Sequence, residues 1–338
     1  MIDPRPVRAT CERARRTFNR LGLSAALVAA CTLSPAQAQT WPSKPVKLLV
    51  GVPPGGALDP FARALADQLA KTTGGTFIVE NKPGANGNLS AEAALQAPAD
   101  GSTLWIGTQS MVTINPAAFE KLRWKPSDFK PILKGVEAPL VLVTHPSVPA
   151  RDFKALSAWI ADSTNKAAYA SFSPGTPSHF LGYQLNERLK ANMVHVPYKG
   201  SGPQTTDLLG GQVPLGFTQL ASAVPQVKEG KLRAIAVTGP KRSRFLPDVP
   251  TLAELGHPDL STTIWFGLFA PAGIPAPTLE AILAAAEKAQ ANPAYRARLE
   301  ALNLDVPSED LAAFEKTIAS ETARWAELVR VTGFKASN

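Results

Sequence analysis

Three stretches of the chain place small, hydrogen-bonding residues directly ahead of a helix-like segment, the arrangement in which backbone amides bind an anion. The first is Pro53-Pro-Gly-Gly-Ala-Leu-Asp-Pro60. Gly55 and Gly56 accept backbone conformations closed to other residues and let a ligand approach the main chain, beside Pro54 and Leu58, while Pro60 suits a first helical turn. Asp59 reads as the cap of that helix, with direct ligand contact as the alternative. The loop lacks both the G-x-G-x-x-G order and the G-K-[ST] ending of nucleotide sites. The second stretch is Ser171-Phe-Ser-Pro-Gly-Thr-Pro-Ser-His179. Ser171, Ser173, Thr176 and Ser178, with the amides freed by Gly175, could hydrogen-bond an oxyanion that stays fully charged. A competing reading is an exported serine hydrolase using Ser178 or Ser171 with His179. There is no G-x-S-x-G elbow, and neighbours in sequence point along different helix faces, so binding is favoured over catalysis. The third stretch centres on Gly200 and Ser201. Asn86, Thr108, Ser110 and Gln219 are further rim candidates, and Trp265 reads as either core or pocket wall.

These loops need strands behind them and helices ahead of them, and the hydropathy pattern supplies both. Val46–Val52, Phe77–Glu80 and Thr103–Gly107 read as strands, separated by helices over Phe61–Ala70 and Leu89–Ala97. Two short strands, Ile132–Val136 and Leu140–Thr144, follow. A second α/β unit then runs through helix Phe153–Asp162, strand Tyr169–Ser171, helix Ser178–Leu189, strand Met193–Val196, helix Pro203–Leu209, strand Val213–Phe217, a short helix through Val227 and strand Leu232–Thr238. The Pro-rich connection 240–258, with its basic cluster Lys241-Arg-Ser-Arg244, reads as a solvated surface loop. Strand Thr263–Ala270 and helices from Thr278, from Asn292 and over Ser308–Val331 complete the chain, the last helices expected to pack on the first unit. The pattern predicts an α/β fold with two lobes and mostly parallel central sheets, with ligands outside the carboxyl ends of the strands.

Composition narrows the class. Of 338 residues, 45% are hydrophobic and 18% charged, which excludes a disordered polymer or a multi-span membrane protein. The net charge of +8 does not mark a nucleic-acid binder, because residues 1–38 hold six arginines against Asp3 and Glu12 and so carry half of the excess. That segment has a basic stretch ending at Arg20, a short apolar run and Ala36-Gln-Ala38, and is expected to be an export signal. The pair Arg15-Arg16 suggests the twin-arginine route, with ordinary secretion as the alternative; Val28-Ala-Ala-Cys31 resembles a lipoprotein box, which would anchor Cys31 to a membrane. Cys11 and Cys31 are the only cysteines and both lie in this segment, so the mature chain has no thiol for a disulfide, nucleophile or metal. The four histidines show no H-x-x-x-H pair, and neither cofactor nor metal is expected.

The motifs Trp41-Pro-Ser-Lys-Pro-Val-Lys, Pro53-Pro-Gly-Gly, Glu80-Asn-Lys-Pro-Gly-Ala-Asn-Gly-Asn88, Gly175-Thr-Pro-Ser-His179, His195-Val-Pro-Tyr-Lys-Gly200, Asp207-Leu-Leu-Gly-Gly-Gln212 and Trp265-Phe-Gly-Leu-Phe-Ala-Pro-Ala-Gly273 occur in order along most of the chain. Together they resemble the Bug family, the periplasmic solute receptors of tripartite tricarboxylate transport systems. The resemblance implies a type II periplasmic binding protein with two chain crossovers, lobe 1 from 39–141 plus 263–338 and lobe 2 from 142–262. It implies a monomer that closes on an organic carboxylate, performs no catalysis and delivers to integral-membrane transporter subunits. The loops 53–59 and 171–179 would hold one carboxylate together. Two departures bear on specificity: Leu58 stands where the family commonly has a hydroxyl, and Phe172 where small or polar residues are usual. Both make the cleft less polar, so a ligand with an apolar or aromatic body and one or two carboxylates, such as an aromatic dicarboxylate, is expected over citrate, with Phe172 facing the core as the alternative.

Overall fold

The apolar run Val46–Val50 buries every residue except Lys47 and forms strand β1. It lies parallel between β2 (Phe77–Asn81) and β3 (Thr103–Thr108) in a computed structural model that describes residues 41–336. The expected export segment 1–38, with its arginine pair and Cys31, lies outside the described residues. Helix α1 (Leu58–Thr73) connects β1 to β2 and α2 (Asn88–Gln96) connects β2 to β3. Phe61, Leu65 and Leu69 make a buried stripe at the helical repeat of α1, and the helix ends where Gly74 takes the left-handed conformation and donates its N–H to Ala70.

Beyond β3 the chain enters a π-helical turn, Ser110–Ile114, that runs straight into the short helix α3 (Asn115–Ala118). Every residue of the turn is buried, so it carries no polar and apolar alternation from which a helix could be read. The next strand, β4 (Phe129–Thr144), is continuous where two short strands were expected. Pro131, Gly135 and Pro139 look like breaks in the sequence, but irregularities at Pro131/Leu133 and Lys134/Val136 absorb the register shift against its partner.

Strand β4 organises the molecule. Residues Phe129–Pro139 pair antiparallel with β9 (Thr263–Pro271), whereas Leu140–Thr144 pair with β7 (Leu215–Gln219) on one side, and the same end of β4 pairs with β8 (Arg233–Val237) on the other. Strand β7 leads to β5 (Ala168–Ser171) and β6 (Val194–Pro197), giving the order β2-β1-β3-β9-β4-β7-β5-β6 with β8 on β4. The pairings of β1 with β2 and β3, and of β5 with β6 and β7, are parallel; every pairing that involves β4 or β9 is antiparallel. The sheet is therefore more evenly mixed than the alternation of elements implied, because the two long strands carry the chain between its parallel groups. Helices α4 (Phe153–Ala161), α5 (Pro177–Arg188), α6 (Ser201–Leu209) and α7 (Leu220–Lys228) belong to the second group.

Helices α8 (Ala276–Ala291) and α9 (Pro293–Ala301) pack on α1, as expected. Helix α10 (Leu311–Thr332) does more than that. It packs on the π-helical turn and α3, and its buried Trp325 and Val329 also join Phe180 of α5 in one apolar cluster. The basic loop lies at the surface, as expected, with exposed Arg242 paired with Glu254 and Arg244 with Glu300 and Asp305. Among the described residues no helix is long and apolar enough to cross a membrane.

Candidate ligand-binding site

The loop after β1 brings its exposed Pro53, Pro54 and Gly55 to the start of α1, with Gly55 at φ 107. The helix begins at Leu58 after Ala57, without a side-chain cap. Asp59 therefore sits inside the first turn instead of capping it. Its carboxylate accepts from Arg63 Nε at 2.8 Å and Nη2 at 3.0 Å and from Asn81 Nδ2 at 2.9 Å. Burial opposes its charge, but these bonds hold its carboxyl below the ordinary range. Asp59 thus fixes the entry of α1, and the N–H groups at that helix start have no acceptor within the helix. Leu58 is only 3% exposed and packs in the core cluster.

A second loop, Gly84–Asn88, stands beside the first. An added Cβ on Gly51 would lie 2.7 Å from the Cα of Gly87, so the two backbones are in contact there. Asn86 takes the left-handed conformation at φ 51, held by the fully buried Asn115. Asn86 Nδ2 donates to Asn115 Oδ1 at 2.9 Å, and Asn115 Nδ2 donates to Asn86 O at 3.1 Å and Asn88 Oδ1 at 2.7 Å.

The loop after β5 reaches this same place from the other parallel group: Ser173 Oγ donates to Asn86 Oδ1 at 3.0 Å. Within the loop Thr176 Oγ1 donates to Ser173 O at 2.6 Å, and Ser178 Oγ accepts from the Phe172 N–H at 3.2 Å and lies 2.9 Å from Thr176 Oγ1. Gly175, at φ 68, donates its N–H to His179 Nδ1 at 3.2 Å. The hydroxyls thus shape the turn as well as edging it. Phe172 is 8% exposed and joins the core cluster.

His179 stacks on His195 with ring centroids 4.1 Å apart, and His195 stacks in turn on Tyr169. Ser171 Oγ lies 2.7 Å from His195 Nε2. The Ser–His pair is therefore Ser171 with His195, not with His179, and Ser178 is occupied by the loop backbone. Burial, and for His179 the neighbouring His195 as well, pushes both imidazoles down to about 4. Unfolded histidines titrate near about 6.5, so the unfolded chain binds more protons between these values and the stability contribution of the stack, full above pH 6.5, is lost as pH falls toward 4. We expect the wild type to melt roughly 5 °C lower at pH 4.5 than at pH 7. H195Q should shrink that difference in a scanning-calorimetry series; an equal difference in both proteins would remove the stack as its source.

A fourth loop closes the ring. Gly200, at φ 112, donates its N–H to Phe172 O at 2.7 Å and precedes α6. Ser201 Oγ lies 3.5 Å from where a Cβ on Gly56 would stand. Gly56 therefore stands near Ser201, Gly200 meets Phe172, Ser173 meets Asn86, and Gly87 meets Gly51. The 53–59 loop approaches the start of α6, and the 171–179 loop meets that start through Gly200. Each loop follows the carboxyl end of a parallel strand, where ligands of such sheets sit.

The remaining candidates divide. Thr108 ends β3 and its Oγ1 accepts from Met111 N at 3.3 Å, starting the turn that contains the buried Ser110. Gln219 ends β7, and its Oε1 is buried without a protein partner. Trp265 is a core residue, 1% exposed, donating from Nε1 to Glu321 Oε2 at 2.7 Å. Burial raises the Glu321 carboxyl despite that bond. W265F is expected to cost about 2 kcal/mol of stability in urea titration, with ligand affinity unchanged. Sequence reading missed Asn115 and Gln204. The latter is fully buried and donates to Ala170 O at 3.1 Å and Phe217 O at 2.9 Å, tying β5 to β7 just below the site.

Residues 61–334 match the pattern of the tripartite tricarboxylate transporter family receptors. The chain belongs to that family. This receptor is 33% identical to the protein BugT of Bordetella pertussis over 89% of its own chain and 93% of that one. Its fold matches the periplasmic binding protein BugD with a TM-score of 0.79 at 31% identity, covering 87% of this chain and 99% of that one. It matches MatC from Rhodopseudomonas palustris, solved with bound malate, with a TM-score of 0.78 at 32% identity, covering 86% and 100%. The receptor accordingly has the mixed α/β periplasmic binding protein fold and is a solute-binding protein of a non-catalytic family, which ends the hydrolase reading. The chemistry agrees: an imidazole held near 4 is a weak base at neutral pH, and among the described residues no carboxylate hydrogen-bonds to His195.

Proposed function

We propose that this receptor captures a short aliphatic dicarboxylate in the periplasm and delivers it, as a monomer, to the membrane subunits of a tripartite tricarboxylate-type transporter. One carboxylate is held by main-chain N–H groups at the starts of α1 and α6 and by the loop 171–179. The observation that carries this reading is the approach of Gly56 to Ser201, which sets two helix starts from different parallel groups against one another. The lobes 39–141 plus 263–338 and 142–262 hinge where β4 passes from β9 to β7 and where β9 begins. A ligand bridging them favours closure only through contacts that the open form lacks.

With Leu58 and Phe172 in the core, the ring is edged by Asn86, Ser173 and Ser201, which suit a polar ligand body better than an aromatic one. The malate bound by MatC supports a compact dicarboxylate. Titration calorimetry with malate, adipate, terephthalate and citrate tests the assignment. Malate or adipate should bind in the micromolar range; terephthalate or citrate as the preferred ligand would overturn the substrate class, and binding of none would overturn the function.

A further inference from the structure

We infer that Phe334, beyond the last helix, is a positioning residue for the ligand loop 171–179; its effect on affinity rests on the function proposed above. Helix α10 stops at Gly333, whose left-handed backbone at φ 64 turns the chain back. The turned segment is fastened to the first α/β unit: Ala336 N–H donates to Ala118 O at 2.9 Å, Ala336 forms a parallel bridge with Phe119, and Lys335 pairs with Glu120. Its one aromatic side chain crosses to the other unit. A Cβ on Gly175 would lie 2.8 Å from Phe334 Cε1, so the ring rests against the loop backbone. The same ring meets His179 edge-on at 5.1 Å and Phe180 at 5.6 Å, and Phe180 is itself fully buried beside Trp325.

The loop is therefore held from two sides by residues of the first unit, Asn86 at Ser173 and Phe334 at Gly175 and His179. The Asn86 contact is one hydrogen bond at a half-buried site. The Phe334 contact is apolar and aromatic, and it bears on the residue whose N–H is tied to His179, so it fixes the turn that presents the hydroxyls and amides.

Hydrogen exchange of the unliganded protein tests this without requiring a ligand. In F334A, amides of residues 172–180 should exchange about tenfold faster while those of β1 and α1 keep their rates. Malate affinity by titration calorimetry should fall about tenfold. Exchange at 172–180 equal to wild type, or acceleration spread evenly over the chain, would overturn the inference. If F334A does not fold, F334L, which keeps apolar volume but loses the ring edge, must show the same local acceleration in smaller degree, and wild-type rates there would again overturn it. If no carboxylate binds the wild type, the function falls and the exchange result still decides the role of Phe334.

Discussion

Ser201→Asp is expected to weaken dicarboxylate binding by more than about 100-fold while leaving the protein folded. Ser201 opens α6, is 4% exposed and faces Gly56 across the ring. An aspartate at the first position of a helix is favourable to the helix dipole, so the fold tolerates the charge. The ligand does not, because the new carboxylate occupies the field that would otherwise attract it and repels the incoming one. S201N, of the same size without the charge, should lose about tenfold or less. Calorimetric titration of both variants, with melting curves as a fold control, gives the comparison. Equal affinities for S201D and S201N would place the ligand elsewhere.

Gly51→Val is expected to cost about 3 kcal/mol or more of stability. The glycine lies directly after β1, and any Cβ there meets the Cα of Gly87 at 2.7 Å, Met111 Cε at 2.7 Å and Ser90 Oγ at 2.8 Å. Only the methionine can move cheaply. Ser90 Oγ donates to Gly87 O at 2.7 Å and accepts from Trp105 Nε1 at 2.9 Å, and Gly87 opens the helix behind Asn86. The substitution therefore pushes the Asn86 loop away from Ser173, and affinity should fall together with stability. A urea midpoint within experimental error of wild type would show that the two loops are not in contact there.

The order of elements was legible because nearly all of them have a hydropathy period, and the anion loops were legible because Gly, Ser and Thr cluster just ahead of helices. What stayed hidden depends on packing between distant segments. Asp59 looks like a cap until Arg63 and Asn81 are brought beside it; Asn81 comes from another strand, and nothing in the local pattern of 53–60 announces it. Phe172 and Trp265 could face cleft or core on sequence grounds, and both went to the core, Trp265 because Glu321 gives its N–H a partner there. Asn115 and the π-helical turn lie in a wholly buried run without period. The break expected in β4 failed for a related reason, since Pro and Gly mark bulges as readily as ends when a long partner strand spans them. Phe334 sits in a segment that reads as a helix end, and only the tertiary contact with Gly175 reveals its use.

The capture of one carboxylate by helix starts from two sides is the claim on which the function stands. A crystal structure of the receptor grown with malate measures it directly. The expected result is one carboxylate within about 3 Å of main-chain nitrogens from both the 55–59 segment and the 171–201 segments. A ligand bound on one segment alone, or held by lysine and arginine side chains away from these helix starts, would contradict it.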